Sequence, residues 1–175
     1  MDPLATPEDL ASYLQRDVDT ATATLAVTGA SALVRGYCKW SLTQDQVTMT
    51  VDGNGSDVLS LPTLQLNSIT SITVDGEILD ADSYRLAARG QVKRTDGGVW
   101  PIGFDNVTAA VDHGYAMIPD DVRLVTCSVA GRYFVNPENL RSKQVGSVMR
   151  VYGSLIINQD FASIEVALLD PFRLP

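Results

Sequence analysis

The hydrophobic period of this chain changes twice, and few folds accommodate that. Apolar and small residues recur at helical spacing up to about residue 44, alternate with polar residues from Gln46 to about residue 116, and return to helical spacing at Pro119. A strand-period segment between two helix-period segments describes an α+β chain: a helical base of about four helices with an inserted small antiparallel β domain of five to seven strands. The expected divisions are 1–44, N-terminal helices; 45–118, the β insertion; and 119–175, a third helix, a short strand, a last helix and a tail.

Local signals sharpen each part. In "TPEDLASYLQR" Thr6 can cap, Pro7 suits the first helical position, and Glu8 and Asp9 favour the positive end of the dipole, predicting a helix from about Pro7 to Gln15. Asp17 or Asp19 can cap a second helix, whose small and apolar stripe at Val18, Ala21, Leu25, Gly29, Ala32, Leu33, Gly36 and Tyr37 is expected to receive a closely packed helix. Alternation in "QVTMTVD", "DVLSL" and "QLNSITSITVDG", a hairpin signal at Asp75 to Glu77, short strands at "SYRL" and "QVKR", and the closing "VTAAVDHGY" make up the β unit. Pro119 with Asp120 and Asp121 opens a third helix whose face is Val122, Val125, Thr126, Val129, Ala130 and Tyr133. "NPENL" then reads as a loop, residues 148–152 as a strand, and "ASIEVALL" as the last helix.

Charge excludes some functions. The formal net charge is −8, and an extended nucleic-acid groove needs clustered Lys and Arg. The acidity is concentrated: Gln44 to Ile118 holds ten acids against four bases, a net of −6, while Pro119 to Pro175 balances six against six. The uncharged run Thr20 to Val34 is broken by Thr, Ser and Gly and falls short of the roughly 20 apolar residues of a membrane span, so no membrane association is expected. "MDPLATPEDL" lacks the basic and apolar regions of a secretory signal, which predicts folding where the chain is made. Cys38 and Cys127 belong to no metal-binding or redox motif and read as buried hydrophobes.

No motif for catalysis, cofactor or metal emerges. His113 is the one histidine, beside Asp112 and just before Asp120 and Asp121, but nothing exists to build a triad or zinc site around it. It reads as a joint between the last strand and the third helix, and His113→Asn is expected to leave fold and assembly nearly unchanged. "DGNGSD" at Asp52 to Asp57 begins like a calcium loop, yet Asp57 occupies the glycine position and Thr63 the glutamate position, so a glycine-rich turn is expected. Trp100 and Tyr115 could serve a carbohydrate-binding module, although a tryptophan in a small β unit is usually packing.

Taken in order, "LATPEDLASYLQR", "SITSITVDGEIL", "SYRL", "GVWP", "HGYAMIPDDVRLVTCSVAGRYF", "GSVMRVY" and "LLDPFR" resemble the head-to-tail adaptor (head-tail connector) proteins of tailed bacteriophages. The resemblance runs nearly the whole chain, and "HGY…IPDDVR" and "LLDPFR" carry most of it. It implies a non-enzymatic virion protein, assembled in the host cytoplasm as a ring, typically of twelve copies, below the portal protein. Such a ring extends the DNA channel, passes DNA without specific binding, and joins the capsid to a stopper or head completion protein on the tail side; a neighbouring neck component such as a stopper is the alternative. One departure is Lys143 and Gln144 in "SKQVGS", where that family often has an acid. The acidic middle suits a conduit that must not grip phosphates, with repulsion screened beyond roughly 8 to 10 Å. In "LLDPFRLP" the two prolines are expected to leave an extended segment with Phe172 and Leu174 on one side and Arg173 on the other, suited to a partner's groove, and the residues alone equally allow Phe172 to fold back onto the chain's own helices. With the resemblance, this makes Leu169, Pro171, Phe172, Arg173 and Leu174 the expected portal-docking residues.

Overall fold

The computed structural model describes residues 1–136, 142–145, 148–151 and 161–175. Two compact units emerge: Met1–Cys38 with Ile118–Phe172, and Lys39–Met117 with Arg173–Pro175. The first is built from helices α1 (Pro7–Leu14), α2 (Thr20–Cys38), α3 (Asp120–Val135) and α4 (Ser163–Leu169).

The helix starts follow their sequence signals. Thr6 Oγ1 accepts from the Asp9 amide at 3.1 Å and Asp9 returns the bond to the Thr6 amide at 2.8 Å, which closes a capping box around Pro7. Gln15, left-handed at φ 52°, ends α1. Of the two candidate caps for α2, Asp19 is used: its carboxylate accepts from the Thr22 amide at 2.9 Å and the Thr22 hydroxyl at 2.6 Å. Pro119 precedes α3 at φ −55°, with Asp120 and Asp121 in the first turn.

The buried stripe of α2 differs from the expected one. Ala23, Val27, Ala30, Ser31, Val34 and Cys38 face the core, whereas Ala21, Leu25, Gly29, Ala32 and Gly36 are exposed. Thr20 to Val34 contains no charge, so several stripes at helical spacing are equally apolar and pattern alone does not choose among them. Ser31 also decides the matter: its Oγ donates to Val27 O at 2.7 Å and accepts from the Leu4 amide at 2.9 Å, which pins the N-terminal segment to that side. On α3, Val122, Val125, Thr126, Val129 and Ala130 are buried as expected, together with Cys127 and Gly131, but Tyr133 is half exposed. The helix packs against α1, α2 and α4, so it needs more than one apolar side.

The second unit contains β1 (Asp45–Gly53), β2 (Val58–Ser60), β3 (Leu66–Val74), β4 (Glu77–Ile78), β5 (Tyr84–Leu86), β6 (Gln91–Arg94) and β7 (Gly103–His113). One antiparallel sheet has the order β1-β7-β3-β4 and a second the order β2-β6-β5. Asp75 and Gly76, at φ 49° and 85°, form the expected tight hairpin between β3 and β4. Inward alternation on β7 delivers Val107, Ala109 and Val111 to a core shared with Leu59, Leu61, Ile72, Val74, Val92 and Trp100. Burying such a set contributes about 1.5–3 kcal/mol per large side chain.

Where a single strand was expected at residues 148–152, Val148–Val151 (β9) pairs antiparallel with Ser142–Val145 (β8), whose polar sequence carries no strand signal. Tyr152 and most of the "NPENL" loop lie outside the described residues.

Candidate functional site

The joint at the end of β7 is structural in construction. Gly114 has φ 92°, and a Cβ there would stand 2.2 Å from Thr43 O, so the chain turns where only glycine fits. His113 is 3% exposed, with Nδ1 3.2 Å from Thr63 Oγ1 and its ring 6.3 Å from that of Trp40. Burial lowers its pKa despite the opposing pull of Asp45 and Asp112, so the ring sits neutral in a packed site. The expectation that His113→Asn leaves the fold nearly unchanged is therefore corrected: the substitution removes a buried, hydrogen-bonded ring. Asp112 beside it accepts from Asn67 at 2.8 Å and from Gln44 at 2.9 Å, and these bonds lower its pKa.

The other motifs resolve as packing. Trp100 is fully buried, with Nε1 donating to Asp57 O at 3.2 Å, so no tryptophan face is offered there to a sugar. Asn54, in the loop resembling a calcium site, accepts from the Ser56 amide and donates to Val58 O, both at 2.9 Å, which commits it to the turn. Among the described residues, no group of three or more His, Cys, Asp or Glu could hold a metal, and no helix is long and apolar enough to cross a membrane. Both cysteines are buried, and burial pushes the Cys127 thiol up to about 11.

Surface chemistry remains. Nine of the ten acids between Gln44 and Ile118 are exposed, Asp112 being half-buried, so the β unit offers a solvated negative surface. In the helical unit, α2 turns Leu25, Gly29, Ala32 and Gly36 outward, beside two grooves. One is lined by Leu25, Gly29, Leu33, Tyr133 and Phe134, and the other by Ala32, Leu33, Gly36, Tyr37, Phe161 and Val166.

The C-terminal segment departs from its expected shape. Asp170–Phe172 is a 3-10 turn that prolongs α4, so the extended part begins only after Phe172. Leu169, one of the residues expected to dock, is fully buried and serves as an internal anchor. Pro171 and Arg173 are exposed, and Phe172 and Leu174 are half-buried. Asp170 accepts a hydrogen bond from the Tyr37 hydroxyl, which ties the turn to α2.

The segment is positioned by residues that pattern reading missed. Glu165, 4% exposed, accepts from Arg132 Nη1 at 2.7 Å and Nη2 at 3.0 Å, from Ser128 Oγ at 2.6 Å and from the Ala162 amide at 2.7 Å. Burial pushes this carboxyl up, but the bonds from Arg132, Ser128 and Ala162 outweigh it, and the net pKa lies below the ordinary value. The cluster fastens α4 to α3. The one advance signal is a glutamate three residues after a helix start, here without the Ser or Thr that normally announces it.

Comparison with known proteins gives these surfaces a context. Residues 6–149 match the head completion protein family. No curated protein sequence matches significantly. Among solved structures, the fold is similar to a chain in the neck of an empty gene transfer agent particle computed with C6 symmetry, at TM-score 0.63 and 16% identity over 95% of this chain and 88% of that one. A chain in the neck of the native particle computed with C12 symmetry aligns at TM-score 0.56, with the same identity and coverage. One in the native gene transfer agent virion aligns at TM-score 0.65 and 14% identity, over 97% and 89% of the two chains. At such identities the structural likeness speaks to fold, whereas the sequence match spans most of the chain: the protein belongs to the head completion protein family.

Proposed function

We propose that the protein is a structural component of the neck of a tailed phage or phage-like particle, and that within the neck it is the head-to-tail adaptor. In this reading a ring of copies, twelve in the virion, sits below the portal protein, extends the DNA channel and presents its far side to a stopper or head completion protein. The observation that carries it is a family match over residues 6–149 together with a fold shared along 95% of the chain with subunits of C6- and C12-symmetric necks. The role is non-enzymatic, and the exposed acids of the β unit suit a channel through which DNA slides.

Portal docking is assigned to the end of the chain, now narrowed to Pro171, Phe172, Arg173 and Leu174. The isolated subunit is mainly monomeric at micromolar concentration, because free polymerisation would compete with ordered assembly. The test is to mix purified subunit with portal rings and image the product. A coaxial ring of added density on the portal is expected, lost on removal of Arg173 to Pro175 while subunit melting stays within a degree or two (about 0.5 kcal/mol). Density that attaches only to preformed portal–adaptor complexes would assign the chain to the stopper position instead.

A further inference from the structure

We propose that the outward face of α2, through Leu25, Gly29, Ala32, Leu33 and Gly36, is where the next copy of this chain seats in the ring, and that it receives that copy's α1–α3 face at Tyr13 and Leu124. The inference rests on the ring reading above. Between Asp19 and Arg35 the helix has no charged residue, although its outer side meets water and Leu25 is 75% exposed. Water-facing helix surfaces ordinarily carry charge.

Gly29 and Gly36 lie one heptad apart on this face, and a Cβ added at either meets nothing within 4 Å. Glycine is the poorest helix former after proline, so two of them in mid-helix weaken α2 while serving no contact among the described residues. A neighbouring surface that must approach the backbone closely accounts for them. The grooves on either side of Leu33, walled by Tyr133 and Phe134 and by Tyr37 and Phe161, give that surface apolar sockets.

The occupant follows from symmetry. A closed ring of more than two copies uses head-to-tail contacts, so each subunit needs two different patches. The helical unit has a second one, where Tyr13 and Leu124, 44% and 50% exposed, lie among Asp9, Asp120 and Asp121. Its rim mixes Asp9 and Asp121 with an Asp120–Arg123 ion pair at 2.6 Å. The α2 face is mixed as well: Arg16, whose guanidinium stands 5.6 Å over the Phe134 ring, and Arg35, which donates to Asp2 O, flank it together with Asp17 and Asp19 at the start of the helix. The two apolar patches differ in shape and composition, so a contact between them has a defined direction and suits a second copy.

The test uses full-length Gly29→Leu, Gly36→Leu and Leu124→Arg, each followed by circular dichroism, melting and imaging, alone over a concentration series and with portal rings. The α2 variants should melt at or above wild type, because leucine gains helix propensity and has open space. Rings should vanish, or need about tenfold more protein, a shift of roughly 1.4 kcal/mol. Leu124→Arg should fail likewise. A mixture of Gly29→Leu with Leu124→Arg should stop at dimers, because one intact face remains on each partner. Wild-type ring yield from the α2 variants, or full rings from the mixture, would overturn the assignment of these faces. If the wild-type chain forms no ring either alone or on the portal, the ring reading itself falls and this interface with it.

Discussion

Removing the Glu165 carboxylate should release the last helix without melting the rest of the chain. In Glu165→Ala, Arg132 loses two charge-assisted hydrogen bonds, Ser128 one, and the Ala162 amide its cap. Truncating one partner of a buried ion pair costs about 3–5 kcal/mol. Here the Arg132 side chain is 33% exposed and recovers water, which brings the expected loss to about 2–3 kcal/mol, loss of the cap included. At about 2–4 °C per kcal/mol for a chain of this size, melting of the helical unit should fall by about 4–12 °C. The effect should be local, with amide exchange accelerating first in Ser163–Leu169. Glu165→Ala combined with Arg132→Met should recover about 1 kcal/mol or more relative to additive losses, since both changes remove the same pair of bonds. The folded-state pKa is depressed, so this stabilisation is present above the ordinary carboxylate range and is lost as pH falls through the folded value. A Glu165→Ala protein that melts within 0.5 kcal/mol of wild type, or that leaves exchange in α4 unchanged, would refute the fastening role.

Other substitutions probe the β unit. The lowered pKa of His113 gives a contribution fully present above its unfolded value near 6.5 and lost as pH falls through the folded one, so denaturation midpoints should drop between pH 7 and 5. His113→Asn should start about 1–2 kcal/mol lower at pH 7 and lack that step; a mutant with the same pH profile as wild type would count against the assignment. Trp100→Ala should cost about 3–5 kcal/mol in chemical denaturation, and wild-type tryptophan fluorescence should not respond to glycans.

The places where sequence reading succeeded share a physical character. The Thr6–Asp9 capping box, the Asp75–Gly76 turn and the inward alternation of β7 are local: a few neighbouring residues dictate the conformation. Its failures are contacts that cross the chain. The buried side of α2 is chosen by partners such as Leu4, 27 residues away on Ser31, and not by the helix's own uniform stripes. Leu169 looked available for a partner because nothing beside it in sequence buries it. The Glu165 cluster joins residues 33 and 37 positions apart and leaves no periodic trace. Of the candidate surfaces, the acidic middle was legible in composition, the extended shape expected for the C-terminal segment was overturned at Phe172 by the turn that prolongs α4, and the exposed face of α2 was seen but assigned to the interior.

The β unit enters and leaves through neighbouring strands. Asp45 at the start of β1 is paired with His113 at the end of β7, and Thr43 bridges Tyr115 just beyond, so the two ends of the insertion are a strand spacing apart, roughly 5 Å. A segment with touching ends is a removable cassette. Replacing residues 43–115 by a turn of a few residues asks the helices to close a gap no wider than the one they close now, at little loop entropy. Lengthening, shortening or exchanging this module would therefore change the acidic surface it carries, while the helical frame keeps the same termini and the same folding problem.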